Sequence, residues 1–365
     1  MTDTAKLHVA LLFGGQSAEH EISILSARNV LAALDPSRFE AVPIGIDRAG
    51  RWLLQDAARL LESARDPRQV RIQDGPPVSR DLLAAGAGGA AGRIDVIFPV
   101  LHGTMGEDGT VQGLFELAGI PYVGAGVLGS AVGMDKDVSK RLLREAGIPV
   151  ADFRTLRREA FEADPAGTLA PLAALGLPLF TKPANAGSSV GVRKVTRPSD
   201  LEAAVRHAFQ FDEKVLVETG VTAREIELAV LGGHPASVSV AGEIVVQHPD
   251  GFYSYDAKYI DESGARLELP ASLSAATLAR AQALAAHTFE VLECDGMARV
   301  DLFLTPEGNL LVNEINTIPG FTAISMYPKL WELSGLAPSA LVSRLIDLAL
   351  ERARRRAALR RSAAP

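Results

Sequence analysis

The sequence predicts an α/β fold with more than one domain, and three observations support this class. The chain has 365 residues, enough for two or three domains that each bury a core. Residues Leu7–Phe13 form a continuous apolar run before Gly14 and Gly15, as a buried parallel strand does when it turns into a helix. Near the other end, two apolar runs of strand length flank a turn with proline and glycine, which predicts an antiparallel hairpin.

The first section of the chain alternates predicted strands and helices in the manner of a Rossmann-like unit. Phe39–Ile46 and Ile94–Val100 continue the pattern of buried parallel strands. A helix that begins near Ser17 should place its apolar face against them. Between these strands lies a long insertion, Arg48–Gly92, in which Trp52–Ala64 has helical spacing.

The middle of the chain predicts a helix followed by two strands that flank a loop of small residues. The helix, Ser130–Ala146, should end at Gly147. The strands Leu179–Lys182 and Val192–Val195 flank the loop Pro183–Gly191. Glycines let backbone N–H groups approach phosphate oxygens, so the loop is a candidate phosphate site, although an ordinary hairpin connection explains it equally well.

The other predicted elements complete an α+β pattern. They are a helix at Pro198–Gln210, strands at Val215–Glu218, Ile226–Leu231 and Ile244–Val246, an amphipathic helix at Ser274–Leu292, and a basic, solvated helix end at Glu351–Arg361.

Composition excludes several classes of protein. The formal net charge of −7 argues against a general nucleic-acid binder, so any phosphate site must be a local cluster of basic groups. The single cysteine, Cys294, excludes an internal disulfide and a cysteine-based zinc site, and we expect it to be a packed, inert thiol. Residues Met1–Phe13 lack the pattern of a signal peptide and no stretch approaches membrane-spanning length, so we expect a cytoplasmic protein.

The C-terminal hairpin has the strongest chemical signal. If Thr305 pairs with Leu310 across the turn, Asp301 lies directly opposite Glu314 in the antiparallel ladder. Two opposed carboxylates repel each other, so such a pair needs a cation between them. The alternative is a surface ribbon with scattered charges.

The same register places Arg299 opposite Asn316, and the two-residue period of a strand brings both onto the face of Asp301 and Glu314. Two carboxylates with one amide oxygen form a hard donor set that favours Mg²⁺ or Mn²⁺ over zinc. The sequence therefore predicts a metal site formed by Asp301, Glu314 and Asn316.

Two lysines are predicted near the loop of small residues. Lys182 ends the strand before the loop, and Lys136 follows Asp135 in the middle section. Compact ammonium groups suit the neutralisation of phosphate oxygens. For Lys136 alone, a solvated position on a helix face is the simpler interpretation.

Taken together, these motifs resemble the ATP-grasp superfamily and, within it, the D-alanine–D-alanine ligase family. The resemblance spans nearly the whole chain, and the insertion makes the chain similar to the longer form. It implies a three-domain ATP-grasp architecture, with a Rossmann-like substrate domain at 1–124 and the nucleotide between α+β domains at 125–217 and 218–365. The motifs that carry it are Gly14-Gly15-Gln16-Ser17-Ala18-Glu19-His20-Glu21-Ile22-Ser23, His102-Gly103-Thr104-Met105-Gly106-Glu107-Asp108-Gly109, Met134-Asp135-Lys136, Lys182-Pro183 to Gly187-Ser188-Ser189-Val190-Gly191, Arg299-Val300-Asp301 and Asn313-Glu314-Ile315-Asn316-Thr317-Ile318-Pro319-Gly320.

The resemblance implies a ligase that uses ATP and two Mg²⁺ or Mn²⁺ ions to join two D-alanines through an acyl phosphate, for peptidoglycan precursors. Such a reaction needs no protein nucleophile and rests on positioning and charge neutralisation. The implied partners are the two D-alanines and a second subunit of a homodimer, with no nucleic acid and no membrane. The resemblance assigns Lys136, Lys182 and Ser189 to ATP, Asp301, Glu314 and Asn316 to the two ions, and Arg299 to the oxyanion of the tetrahedral intermediate.

For the nucleoside, the resemblance assigns a short stretch after the third strand of the middle section. Glu218 would accept from the adenine amino group, the backbone of Thr219 and Val221 would complete the contact, and Glu225 would bind the ribose. Without the resemblance, Glu218 and Glu225 are equally well explained as solvated carboxylates at strand ends.

For the amino acids, the resemblance assigns Glu19 to the ammonium of the first D-alanine, with His102 nearby. Ser325 and the N–H of Gly320 would bind the carboxylate of the second. From the residues alone, a first-turn glutamate, a structural histidine and a helix N-cap serine are adequate interpretations.

The resemblance further implies that Gly251–Tyr259 closes over the acyl phosphate and excludes water. Tyr259 would bind Ser188, Ser188 would bind Glu19, and Lys258 would contact substrate. Three tyrosines in this segment are also compatible with simple loop packing.

Other functions fit less well. A D-alanine–D-lactate ligase is the nearest alternative, but members of that group have a histidine in the closing loop, so Tyr259 argues against it. An inert nucleotide-binding regulator would not need the predicted metal ligands or Arg299. A Rossmann oxidoreductase is excluded because no Gly-x-Gly-x-x-Gly follows the first strand.

Overall fold

Three β-sheets organise the described part of the chain. The computed structural model describes residues 5–63, 66–78, 92–246 and 265–360. Its strands are β1 Leu7–Gly14, β2 Phe39–Ile46, β3 Trp52–Leu54, β4 Val96–Val100, β5 Phe153–Arg157, β6 Leu179–Pro183, β7 Arg193–Val195, β8 Lys214–Thr219, β9 Arg224–Gly232, β10 Ala236–Val246, β11 Ala265–Glu268, β12 Gly296–Leu304 and β13 Leu310–Asn316. Its α-helices are α1 His20–Ala33, α2 Ala57–Glu62, α3 Thr110–Ala118, α4 Val127–Met134, α5 Lys136–Glu145, α6 Arg158–Ala163, α7 Pro165–Leu169, α8 Leu201–Ala208, α9 Ala275–Val291, α10 Met326–Leu333 and α11 Pro338–Ala357, with 3-10 turns at Ala170–Leu175 and Pro198–Asp200.

The first sheet has the order β3-β2-β1-β4, and β1 is parallel to both β2 and β4, which confirms the parallel prediction. Helix α1 begins at His20, slightly later than predicted. The helix predicted over Trp52–Ala64 is wrong at its start, because Trp52–Leu54 pairs antiparallel with β2 as an edge strand. The helix itself is only Ala57–Glu62, and the Asp56 side chain caps it by accepting the Arg59 N–H.

The middle sheet is antiparallel, with the order β5-β8-β6-β7, and the loop of small residues connects β6 to β7 as predicted. The single helix predicted over Ser130–Ala146 is wrong, because the chain breaks at Asp135 into α4 and α5. Asp135 is extended, and its carboxylate accepts the N–H groups of Asp137 and Val138 at the start of α5. This break places Lys136 in the first turn of a new helix.

The third sheet, β11-β10-β9-β12-β13, is antiparallel throughout and contains the predicted hairpin as β12 and β13. Helix α9 packs Ala281, Ala285 and Phe289 into the apolar core on one side of this sheet. Cys294 lies in the same core, and burial raises the pKa of its thiol to about 12, as expected of a packed, inert cysteine.

Helix α11 completes the core under the first sheet, where Leu341 and Leu345 pack in one cluster with Val9 and Leu11 of β1. The prediction that Glu351–Arg361 is merely a solvated helix end is therefore wrong for Arg352. Its guanidinium is buried and donates to the carbonyl oxygens of Tyr122, at 2.7 Å, and Gly124. A guanidinium fork can satisfy two carbonyls at once, which explains why this charge is tolerated inside.

Across the described residues, no single helix is long and apolar enough to cross a membrane, whereas the bent pair α10 and α11 together pass that test of length and composition.

Candidate functional site

The hairpin pairs Asp301 with Glu314, and Arg299 with Asn316, as the sequence predicted. The register at the turn differs from the prediction, because Leu304 and not Thr305 pairs with Leu310. The pairing shifts by one residue further along, between Asp301 and Leu302, where a β-bulge occurs. The bulge returns Glu314 to the position opposite Asp301, so the prediction was correct although its assumed turn was not.

The residue that bulges is Asn313, between Val312, paired with Leu302, and Glu314. On the outer edge of β13, the Val312 N–H donates to the Pro149 carbonyl at 2.8 Å, so the segment before β5 holds the strand at this point. The Asn313 Oδ1 lies 3.5 Å from the Lys182 ammonium. The bulge therefore directs Asn313 to the middle sheet while Glu314 stays with the other predicted metal ligands.

Protein cations contact both opposed carboxylates. The Arg299 guanidinium donates to the two oxygens of Asp301 at 2.7 and 2.6 Å, and its Nε lies 3.0 Å from Glu227. The Lys136 ammonium lies 3.4 Å from Glu314. Burial lowers the pKa of Arg299, but the charges of Asp301 and Glu227 outweigh this and raise the pKa well above its ordinary value. Arg299 is therefore a fixed positive charge in the site.

The donor set at the hairpin fits a divalent cation shared with a nucleotide. Asp301 and Glu314 offer hard carboxylate oxygens, and the Asn316 amide is in contact with Asp301 at 3.1 Å. Within the described ranges, no group of three or more His, Cys, Asp or Glu side chains forms a metal cage. Such a partial set is typical of Mg²⁺ sites in which substrate phosphates complete the coordination.

The loop between β6 and β7 has an unusual backbone. Ser188 and Ser189 both adopt left-handed conformations, with φ of 49° and 59°. Non-glycine residues rarely do so, and such strained positions cluster at active sites and ligand clamps. The Lys136 ammonium donates to the Ala186 carbonyl at 2.8 Å, so α5 holds this loop next to the hairpin.

A cleft of about 410 Å³ lies between the middle and third sheets, a volume typical of small-molecule sites. Its described lining includes six carboxylates and four Lys or Arg side chains, so a bound polyphosphate would need additional cations. The structure brings most of the predicted nucleotide and metal residues into this lining: Lys136, Lys182, Ser188, Ser189, Glu218, Thr219, Val221, Glu225, Arg299, Asp301 and Glu314.

At one wall of the cleft, Glu218 contacts two lysines. Its Oε2 lies 3.0 Å from the Lys182 ammonium and its Oε1 lies 3.1 Å from that of Lys140. Burial raises the pKa of Glu218, but Lys140 and Lys182 together lower it below its ordinary value. The sequence analysis missed Lys140. Its position four residues after Lys136 would have indicated that both side chains lie on the same face of a helix.

The predicted contact between Ser188 and Glu19 is present, with the Ser188 hydroxyl donating to the Glu19 carboxylate. Two glycines make room for Glu19: an added Cβ on Gly187 would lie 2.8 Å from its Oε2, and one on Gly103 would lie 3.0 Å away. Tyr259 and Lys258, with the rest of the predicted closing segment, lie outside the described residues.

His102 is buried at the end of β4 and connects the first sheet to the segment after the hairpin. Its Nδ1 donates to the Ile318 carbonyl at 3.0 Å, so its Nε2, 3.1 Å from Ser26 Oγ, is the acceptor. Burial lowers the pKa of His102, which keeps the imidazole neutral.

Gly320 and Ser325 lie together in the segment that follows Ile318. An added Cβ on Gly320 would come within 2.7 Å of Ser325 Oγ, so a larger residue there would force the Ser325 hydroxyl to move. Ser325 Oγ accepts the Thr322 N–H at 2.9 Å.

The sequence analysis also missed Glu107, a buried carboxyl beside Glu19. Glu107 accepts the Gly103 N–H at 2.7 Å and the Ile318 N–H at 3.4 Å. Burial first, and then the charge of Glu19, raise the pKa of Glu107 to about 8. The Gly-rich motif that contains it gave no sign that this side chain points inward.

We expect Glu107→Gln to flatten the pH dependence of stability. The folded state holds a proton on Glu107 up to about pH 8, whereas the unfolded chain releases it near 4.5, so wild-type stability falls as pH rises through this interval. Glutamine cannot ionise, so the variant should lose less stability than wild type as the pH rises. The Tm difference, variant minus wild type, should be about 2 °C or more larger at pH 9 than at pH 6. Scanning calorimetry measures this, with Glu307→Gln at an exposed site as control; parallel curves for E107Q and wild type would contradict it.

A loop of small residues between antiparallel strands, together with a carboxylate hairpin lining the same cleft, is the arrangement of an ATP-grasp enzyme. Two family models match the chain: D-ala D-ala ligase N-terminus at residues 8–125 and D-ala D-ala ligase C-terminus at 142–347. The D-alanine–D-alanine ligase A of Chromobacterium violaceum is 52% identical over 98% of this chain and 99% of that protein. The chain belongs to the D-alanine–D-alanine ligase family.

Solved structures agree with this assignment. The D-alanine–D-alanine ligase from Coxiella burnetii matches with a TM-score of 0.84 and 39% identity, over 97% of each chain. The VanG D-Ala:D-Ser ligase from Enterococcus faecalis matches with a TM-score of 0.82 and 38% identity, over 94% of this chain and 100% of that one. These matches confirm the predicted three-domain ATP-grasp fold class, whereas the exact domain boundaries stay predictions.

Proposed function

We propose that the chain joins two D-alanines to D-alanyl-D-alanine, with ATP converted to ADP and phosphate, for peptidoglycan precursors. Family membership over nearly the whole chain supports the reaction. The observation that carries the chemistry is the cleft that Lys136 and Lys182 line together with the hairpin carboxylates, with Lys136 3.4 Å from Glu314. Such an arrangement suits phosphoryl transfer, because that reaction depends on positioning and charge neutralisation.

Two Mg²⁺ or Mn²⁺ ions would be held by Asp301, Glu314 and Asn316. These residues would thereby bring to the site a positive charge that neutralises phosphate oxygens and orients the transferred group. Lys136 and Lys182 supply ammonium groups to the same phosphates, and Ser189 lies in the loop beside them. Both lysines contact carboxylates of the site in this structure, so the nucleotide and its ions must share or replace those contacts.

The nucleoside would lie along the wall formed by the end of β8 and the start of β9. Glu218 would accept from the adenine amino group, the backbone at Thr219 and Val221 would complete the edge, and Glu225 would bind the ribose hydroxyls. All four residues line the cleft, which supports this placement.

The first D-alanine would place its ammonium at Glu19, held by Ser188, with the neutral imidazole of His102 positioning the neighbouring backbone. The second would place its carboxylate at Ser325 and the Gly320 N–H. Arg299 would stabilise the oxyanion that forms when the amine attacks the acyl phosphate. Tyr259 and Lys258 would belong to the segment that closes over this intermediate.

The remaining proposals concern the localisation, oligomeric state, partners and domain boundaries of the protein. We propose a cytoplasmic homodimer with neither a nucleic acid nor a membrane among its partners. We also propose domains at 1–124, 125–217 and 218–365.

Competition between acceptors tests the proposed reaction. The enzyme with ATP and Mg²⁺ is given D-alanine together with D-lactate or D-serine at pH 6 and pH 8, and products are read by mass spectrometry. We expect D-Ala-D-Ala to dominate at both values and to form faster at pH 8, because attack needs the unprotonated amine. Absence of ADP release with D-alanine would refute the proposal, and dominant D-Ala-D-lactate at pH 6 would favour the alternative ligase.

A further inference from the structure

Lys140 is a buried lysine with no part in the proposed reaction. The side chains of Lys140 and Glu218 are each 2% exposed, and the Nζ–Oε1 distance between them is 3.1 Å. Burying an ammonium is costly without a paired anion. Burial lowers the pKa of Lys140, and the contact with Glu218 opposes that shift and favours the charged form. Lys140 and Lys136 lie one turn apart on α5, so one helix face supplies a lysine to the loop between β6 and β7 and another to Glu218.

The two lysines that hold Glu218 differ in their surroundings. Lys182 is 15% exposed, lines the cleft, and is also within 3.5 Å of Asn313. Lys140 is not part of the described lining of the cleft. A ligand in the cleft can therefore reach Lys182, whereas Lys140 stays behind Glu218.

This difference has a consequence when a polyphosphate enters. A phosphate oxygen competes with Glu218 Oε2 for the Lys182 ammonium. If Lys182 were the sole cation at Glu218, its departure would leave a buried carboxylate without a counter-charge, and the carboxyl would take up a proton or hold Lys182 back. Lys140 removes this conflict, because it keeps a positive charge on Oε1 while Oε2 becomes available to another donor.

We propose that Lys140 is a positioning residue for purine selection: it holds Glu218 ionised and fixed when Lys182 turns to the phosphates, so that Glu218 selects a 6-amino purine over a 6-oxo purine. The inference rests on the proposed function, in which Glu218 meets the adenine amino group. An ionised carboxylate accepts from a 6-amino group, whereas a 6-oxo group presents a second acceptor and leaves the carboxylate unpaired.

Lys214 offers a matched control. Its side chain is 7% exposed and pairs with Asp135 and, at 3.3 Å, with Asp137, so it too is a buried lysine between β8 and the start of α5. Within the described residues, the carboxylates that pair with Lys214 are Asp135 and Asp137, and Glu218 is not one of them. Removing either lysine should lower the Tm, but only Lys140 should affect the choice of purine.

The experiment compares K140M, K214M and wild type with ATP and with ITP, which has a 6-oxo group. For K140M we expect KM for ATP to rise about tenfold or more, and the preference for ATP over ITP to fall about tenfold. We expect kcat to change less than about threefold and KM for D-alanine to stay constant. K140R should recover part of the preference, whereas K214M should keep the wild-type preference. If K140M keeps the wild-type ratio of kcat/KM for ATP to kcat/KM for ITP, with or without an equal loss in both values, Lys140 is merely structural.

A second pair of variants covers the case in which K140M does not fold. E218Q and E218Q/K140M have no carboxylate at position 218, and the double variant has no charge at either position 140 or position 218. If Lys140 acts through Glu218, the double variant should have the same ATP-over-ITP preference as E218Q. A further loss in the double variant would overturn the inference. Direct titration of ATP and ITP by calorimetry gives the same comparison without turnover, so a failure of the proposed ligase reaction is seen separately.

Discussion

Replacing Glu314 with glutamine should reduce Mg²⁺-ATP-dependent ADP release by about a thousandfold or more while the folded protein keeps nearly the same stability. Glu314 faces Asp301 on the hairpin and contacts Lys136 at 3.4 Å, with a side chain that is 26% exposed. A partly exposed ion pair of this kind contributes about 1 kcal/mol or less, so its loss changes the Tm by only about 2 °C. Turnover depends instead on the charge that glutamine lacks. Coupled ADP release and calorimetry measure the two effects.

Glu307→Gln is the matched control, because Glu307 lies in the turn of the same hairpin and is exposed. It should change neither turnover nor the Mg²⁺ concentration that gives half-maximal rate. E314Q with near-normal turnover, or with an unchanged Mg²⁺ requirement, would remove Glu314 from the metal site.

Replacing Arg299 with lysine should lower kcat by about a hundredfold to a thousandfold, although the charge is retained. The guanidinium donates twice to Asp301 and also contacts Glu227 at 3.0 Å, which fixes its orientation. A lysine has a single ammonium on a flexible stem and cannot keep this geometry while it donates to the oxyanion. Pre-steady-state rates of phosphate and dipeptide formation would locate the loss after the acyl phosphate.

Arg224→Lys provides the comparison for this variant. Arg224 on the adjacent strand β9 lines the same cleft and donates to both oxygens of Glu243 at 2.8 and 2.6 Å. Its replacement removes a similar fork at a residue that has no proposed role in the reaction. We expect its kcat to stay within about threefold of wild type. If R299K keeps kcat within tenfold of wild type, or if both variants lose equally, Arg299 has no special part in stabilising the oxyanion.

The sequence predicted the hairpin pairing because strand periodicity is local information, visible in the order of Asp301, Glu314 and their neighbours. The turn was predicted one residue out of register, and the bulge at Asn313 restored the pairing. That bulge coincides with a contact between Val312 and Pro149, which belong to distant parts of the sequence. No local pattern contains such a contact, so the register at the turn could not have been derived.

The missed residues have the same physical cause. Lys140 lies on a helix rich in charged residues, and its burial depends on Glu218, 78 positions away. Glu107 resembles a loop carboxylate until the Ile318 backbone, 211 positions away, covers it. By contrast, the break between α4 and α5 had a local signal, since Asp135 is a favourable N-cap residue.

The packing of α11 under the first sheet has a consequence for biosynthesis. The ribosome releases β1 and α1 early, yet Leu341 and Leu345, which belong to the same apolar cluster as Val9, Leu11 and Ile24, are translated much later. The ion pair between Arg38 and Asp347 spans 309 positions of the chain. Until α11 is synthesised, the nascent N-terminal section therefore exposes hydrophobic surface. Chaperones protect folding intermediates of this kind from aggregation. A fragment that contains the first sheet without α11 would expose that same surface permanently.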